Sequence, residues 1–191
     1  NYTTLQVSNF TLTNAPIGVS IQSVAGISKT RARLDLKFAY TDFDLNYPDF
    51  RVDIAESVLL QTTTGVLSSN TMNITAYVEN PIATLTADSV LTERRLNARL
   101  LTLNLTDEEF INYQSLLPSS FTLINPPAGL TVQSVNGISK RQAVIDLQFD
   151  GTDFDVNVLN FSVRISKSIL IQSKITDLQS NVMTIFAYVE L

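Results

Sequence analysis

Two short acidic runs, Asp42-Phe-Asp44-Leu-Asn46 and Asp153-Phe-Asp155-Val-Asn157, place oxygen donors at alternate positions. When such a run curls, its oxygens converge, and the first half of a calcium loop (D-x-D-x-[DN]) gathers a hard cation in this way. Asp42, Asp44, Asn46, Asp153, Asp155 and Asn157 are therefore the candidate Ca²⁺ ligands. The sixth-position glycine and the bidentate glutamate at the twelfth, which complete such a loop, are missing from both runs. The competing reading is turn chemistry, in which Thr and Asp side chains cap an interstrand loop through Asx-type hydrogen bonds. Phe43 and Phe154 then plug the core, and the half-complete loop favours that reading.

The remaining acid–base inventory is thin. The chain has no histidine and no cysteine, which excludes Ser-His-Asp and Cys-His nucleophile systems and the common zinc sites. Paired carboxylates are left. Asp107, Glu108 and Glu109 read as the first turn of a helix, where negative charge meets the positive dipole end. Asp35 and Asp146 read as the outward face of a strand. Neither set has the unlike surroundings that split the pKa values of an acid and a base, so no catalytic or cofactor-binding residue is expected and the chain reads as a non-enzyme. Lys29 and Lys140 recur with Asn70 and Asn181, the residue types of an isopeptide cross-link, but both lysines follow a Gly-Ile-Ser corner and read as solvated turn residues. Asn1, Asn9, Asn73, Asn104 and Asn160 each begin N-x-S/T, a pattern frequent by chance in Ser/Thr-rich strands. Tyr77 and Tyr188 read as outward-facing strand residues packed across the sheet rather than as a sugar platform, and there is no Trp.

The elements that must position these residues are written twice. QSVAGISK at Gln22–Lys29 returns as QSVNGISK at Gln133–Lys140, a shift of 111 that holds without a gap to the end of the chain, with about half of the paired positions identical. So long a period marks tandem domains, 1–80 and 81–191, rather than a solenoid. The second copy carries a front, through Ile111, with no counterpart before Asn1. The first copy is expected to be N-terminally incomplete, either an excised piece of a longer repetitive chain or a domain completed by a neighbour's strands. No initiator Met or signal-like stretch opens the chain, as expected of a cut or processed end.

Alternation with period two predicts strands. Leu34, Leu36 and Phe38 face inward opposite Arg33, Asp35 and Lys37, and Ile145, Leu147 and Phe149 repeat that face. Phe50/Val52/Ile54 and Phe161/Val163/Ile165 form a second pair. Met72 through Val78 and Met183 through Val189 form a closing pair, and Leu101, Leu103 and Leu105 lie on a front strand. Asn14–Gly18 and Asn125–Gly129 are Pro/Gly turns, and Ala25-Gly26 and Asn136-Gly137 are expected at hairpin corners. Thr106 with Glu109 forms a capping box for a short helix whose Phe110, Tyr113 and Leu117 face inward until Pro118, and Asn1-Tyr2 would be the tail of its equivalent. About seven short strands per copy predict an all-β fold of two antiparallel β-sandwiches with one short helix each.

The run Ala83–Val90, then Phe121–Leu130, then Gly151–Asp155, resembles the immunoglobulin-like repeats of large secreted and surface proteins of bacteria, notably of the Bacteroidetes type. The resemblance implies spacers, adhesin stalks or filaments at the cell surface or outside the cell, built from further copies of the domain. It also implies a short Asp-Ser/Thr-aliphatic acceptor, here Asp88-Ser89-Val90, with Ser89 as the glycosylation site. The alternative is a carbohydrate- or protein-binding module of a secreted multidomain protein. The net charge of −5 with scattered basic residues argues against nucleic acid, and no apolar run reaches the ~20 residues of a membrane-spanning helix. Glu79-Asn-Pro81 is too short for a floppy tether, so a semi-rigid series of beads is expected.

Overall fold

Short alternating runs separated by Pro/Gly and Asn/Asp corners give strands throughout the computed structural model, which describes residues 1–190. The chain divides into two compact units, the first Asn1–Val78 and the second from Glu79 onward. Unit 1 contains β1 (Phe10–Thr13), β2 (Val19–Ser28), β3 (Arg31–Phe38), β4 (Tyr47–Ala55), β5 (Val66–Ser68) and β6 (Met72–Ile74). Unit 2 contains β7 (Ile82–Ala87), β8 (Leu100–Thr106), β9 (Phe121–Ile124), β10 (Leu130–Ser139), β11 (Gln142–Phe149), β12 (Val158–Ile165), β13 (Leu178–Gln179) and β14 (Met183–Ile185). In the sequence repeat β9 to β14 correspond to β1 to β6, while β7 and β8 have no counterpart in residues 1–78.

The fold is all-β, with four antiparallel sheets and minor helical turns. In unit 2 one sheet runs β10–β11–β8–β7, and in the other β12 pairs with β9, β13 and β14. Leu101, Leu103, Ile145 and Leu147 from the first sheet and Phe161, Val163 and Ile165 from the second share one continuous core. In unit 1 β4 likewise pairs with β1, β5 and β6, but β3 pairs with β2 alone. The burial follows the pairing. Leu147 and Ile145 are 0% exposed and Phe149 7%, whereas in unit 1 the equivalents of Leu147 and Phe149, Leu36 and Phe38, are 46% and 36% exposed and that of Ile145, Leu34, is half-buried. Phe10 and Phe50 are buried in unit 1, at 8% and 4% exposure.

Three expectations are corrected. Gly26 and Gly137 do not sit at hairpin corners; they lie inside β2 and β10, and the corners fall at Lys29-Thr30 and Lys140-Arg141. A Cβ on Gly137 would stand 1.8 Å from the Tyr113 carbonyl oxygen, and one on Gly26 1.7 Å from that of Tyr2. Glycine is required here because another backbone segment crosses the strand. Gly137→Ala should therefore cost about 1–3 kcal/mol of unit 2 stability, as overpacking against a backbone does, read as a lowered urea midpoint; an unchanged midpoint would refute the crossing. Gly129 does serve a turn, with φ +82° and the Leu130 amide donating to the Pro127 carbonyl.

The second correction concerns the helix predicted after Thr106. Thr106 ends β8, Asp107 adopts φ +52°, and only single helical turns form, at Tyr113–Ser115 and Pro118–Ser120. Backbone groups in this segment are used by the sheets: the Phe110 amide donates to the Lys140 carbonyl, Ile111 to Ile169, and Ile171 to Glu109. Tertiary pairing thus outcompetes a capping box of modest worth. Asn1 and Asn112 do cap equivalent turns, Tyr2–Thr4 and Tyr113–Ser115.

The third is the closing strand, which is only three residues long in each unit. Beyond Ile185 the amides of Ala187 and Tyr188 are taken by side chains, Asn157 Oδ1 at 2.9 Å and Glu93 Oε2 at 2.7 Å. Among the described residues past Ile185 only Phe186 pairs, in a parallel bridge with Thr92, and the expected inward residues Val189 and Val78 are exposed.

Candidate metal centre

The loop between β11 and β12 carries Asp153 and Asp155, both exposed, and the chain returns beside them at Glu190. One carboxylate oxygen of each lies within 4.8 Å of the others. Two oxygens on one Ca²⁺ are separated by at most about twice the ~2.4 Å bond, so this spacing suits a shared cation. Their sequence equivalents in unit 1, Asp42 and Asp44, are likewise exposed in the loop after β3. The carboxylates of Asp153, Asp155 and Glu190 can coordinate a divalent cation such as Ca²⁺, whose hard charge matches carboxylate donors.

The loop is held from beneath by aromatic rings and by Glu93. Phe154 meets Phe149 edge-on with ring centroids 6.1 Å apart and packs against the core. In unit 1 Phe43 meets Phe38 and Tyr47 in the same manner, at 6.0 and 5.6 Å. Glu93 Oε1 accepts from the Phe154 amide at 3.3 Å and Oε2 from the Tyr188 amide at 2.7 Å, so one carboxylate ties the acidic loop to the chain's return. The Tyr188 amide, followed by other hydrogen bonds, holds Glu93 below the usual carboxylate range. Asp153 is held above it, first by the negative charge of Glu190 and then by a hydrogen bond with Glu93. Crowded like charge of this kind is relieved by a proton or by a cation.

The expected ligand set is thus regrouped. Asn157 Oδ1 accepts from the Ala187 amide and Asn46 Oδ1 from the Ala76 amide, at 2.9 and 2.8 Å, so both asparagines brace the chain's return. Glu190 stands with Asp153 and Asp155 instead. Its signal was present, since it closes a recurring Ala-Tyr-Val-Glu, but no spacing rule ties a residue more than thirty positions away to the loop. Ca²⁺ titration of the chain by calorimetry should show binding that weakens as pH falls, because protons compete for the crowded carboxylates, and D153N/D155N should remove the unit 2 component. Pairs this exposed are screened by salt, so the test belongs at low ionic strength. Absence of heat at millimolar Ca²⁺ would refute the site.

Other sequence candidates are engaged separately. Lys140 is exposed and pairs with Glu109 at 3.5 Å, whereas the Asn181 amide bonds to the backbone of Leu85. The Arg94 guanidinium lies 3.4 Å over the Tyr188 ring, occupying a face that a sugar would need. Ser89 is exposed at the bend after β7, next to an Asp88 that pairs with Arg99 at 3.5 Å.

Two further carboxylates set the acid stability of the units. In unit 1 Asp53 accepts from Ser68, Thr13 and Arg51, in that order of influence, and lies below its ordinary value. In unit 2 burial raises Glu108, but the amides and side chains donating to it outweigh burial and its pKa is lowered. A lowered folded pKa contributes stability above the unfolded value, ~3.9 for Asp and ~4.3 for Glu, and loses it as pH falls through the folded value. With no histidine in the chain, thermal midpoints should stay level from pH 8 to about 5 and drop below about 4. A midpoint that climbs on acidification below pH 4 would contradict this. No protein-family model, curated protein or solved structure matches this chain.

Proposed function

We propose that this chain is a structural module of an exported bacterial surface protein, two immunoglobulin-like β-sandwich repeats that serve as spacers in an adhesin stalk or extracellular filament. The observation that carries this reading is duplication. One design of six strands is used twice at a constant sequence interval, each time in its own compact unit. Series repetition of a sheet-built unit adds length without adding a new site. Among the described residues no helix is long and apolar enough to cross a membrane, which agrees with a module held outside the bilayer by other parts of its parent. Catalysis plays no part in this reading: the chain carries neither histidine nor cysteine, and Glu93, Glu108 and Asp53 spend their carboxylates on hydrogen bonds that hold the fold. Antibody raised against the chain should label the exterior of intact source cells, at regular intervals along any appendage. Labelling only after the cells are permeabilised would overturn the proposal. Saturable binding of the isolated chain to one sugar family on a glycan array would favour the binding-module alternative instead.

A further inference from the structure

Two segments of unit 2 that lie far apart in the chain run side by side in the same direction, the opening one from β7 to Arg94 and the closing one from Ser180 to Tyr188. Ala83 and Ser180 form a parallel bridge, and so do Thr92 and Phe186. Near the first bridge the Asn181 amide donates to the Ala83 carbonyl at 3.3 Å. The Asn181 side chain accepts from the Leu85 amide at 2.6 Å and donates to the Leu85 carbonyl at 3.2 Å, as the backbone of a neighbouring strand would. Near the second bridge the Phe186 amide donates to the Leu91 carbonyl at 3.0 Å, and the Glu93 amide to the Phe186 carbonyl at 2.9 Å. The Tyr188 amide donates to Glu93 Oε2 at 2.7 Å, and the Arg94 guanidinium stacks on the Tyr188 ring. Ala83, Leu85, Leu91, Ser180 and Ile185 are buried, so water has little access to compete for these bonds.

We infer that this parallel pair is a load-bearing clamp, by which unit 2 resists tension passed along the chain. The opening segment is gripped on its N-terminal side, where the chain enters at Pro81, and the closing segment on its C-terminal side, toward Glu190. In a parallel pair those two sides are opposite ends. Tension therefore slides the segments past each other along their axes, against the hydrogen bonds that run between them. The bonds share the load and must yield together. In an antiparallel pair the same pull would open one end and break the bonds in turn. Side chains extend the grip beyond the two bridges, Asn181 with its two bonds to Leu85 and Glu93 with its bond from Tyr188. The inference rests on the spacer reading for the source of the tension, since neighbouring repeats of a stalk pull from both sides. The clamp itself belongs to unit 2 and is measured without them, so either can fail while the other stands.

The test holds single molecules of the full chain under constant load by two introduced cysteines, which are unique handles because the chain has none of its own. Asn80→Cys with Val189→Cys pulls the two segments lengthwise. Asn80→Cys with Val182→Cys pulls at one end of the pair and peels it; all three positions are exposed. Lifetime under load reports the unfolding rate. It should be at least about tenfold longer in the lengthwise geometry, since several hydrogen bonds must break together. Asn181→Ala should shorten that lifetime by at least about fivefold, the loss of two backbone-directed bonds. Ile145→Val, a core change on β11 outside the pair, should lower the urea midpoint yet shorten the lifetime by less than about twofold, because its contacts are not those the load breaks first. Should a cysteine disturb the fold, the chain held by its two ends gives the same comparison between Asn181→Ala and Ile145→Val. Unit 2 is then recognised by releasing about 380 Å of chain, against about 270 Å for unit 1, at ~3.4 Å per residue. Equal lifetimes in the two pulling geometries would overturn the clamp, and so would equal shortening by Asn181→Ala and Ile145→Val.

Discussion

Replacing Glu108 with alanine is expected to destabilise unit 2 by about 3–5 kcal/mol, because its carboxylate, 1% exposed, is the acceptor for several backbone amides whose loss of a partner costs about 1–3 kcal/mol each. The reason is the number of donors that the carboxylate serves. Besides the amides of Ile171, Gln172 and Ser173 it accepts from its own neighbour, the Glu109 amide, at 2.9 Å. Ile171 keeps the Glu109 carbonyl as a second acceptor, but the other donors lose a partner in a buried place, each at about 1–3 kcal/mol unless water enters. Glu108→Gln should fall between, because one amide oxygen remains while its NH₂ faces donors. Urea unfolding of the full chain checks this, with each transition followed separately because two units need not melt together. A loss below about 1 kcal/mol would show that the loop holds its shape without the carboxylate.

The second large effect is a contrast between equivalent positions. Leu147→Ala should cost about 2–5 kcal/mol, the range for a leucine removed from a packed core, whereas Leu36→Ala should cost less than about 1 kcal/mol. The two leucines occupy equivalent positions on equivalent hairpins, each following an aspartate. They differ in that Leu147 is completely covered and Leu36 is 46% exposed, because only unit 2 owns β7 and β8. Equal losses at the two sites would mean that unit 1 buries this face in solution. Deletion of a half-exposed side chain removes less transfer free energy and leaves no closed cavity.

Which elements were legible in the sequence follows from how local their causes are. The Leu34 and Ile145 strands, the Phe50 and Phe161 strands and the Pro/Gly turns rest on alternation or fixed φ within a few residues, and they appear where expected. The helix after Thr106 failed because Thr106 and Glu109 carry a capping pattern, while Glu108 and Glu109 spend their polar groups on Ile171, Gln172 and Ser173 and on Arg141, which bonds Glu109 at 3.1 Å. No local rule sees that competition. The candidate metal centre divides the same way. Asp153 and Asp155 were readable from spacing, while Glu190 joins them through the path of the chain. Glu93, which binds the loop and the return together, sits in a single turn at Glu93–Arg95 whose sequence shows no ligand pattern. Unit 1's open face was also invisible at the level of strands, since β3 alternates as cleanly as β11; only the absence of a partner segment separates them.

The crossing at Gly26 and Gly137 has one more implication, for how such repeats can change length over time. The carbonyls of Tyr2 and Tyr113 must arrive over those glycines, and the interval between tyrosine and glycine is the same in both units. An insertion or deletion inside that interval would carry the tyrosine off its mark or place a side chain beneath it. Related units should therefore differ in length outside that interval, with no insertion or deletion between the tyrosine and the glycine.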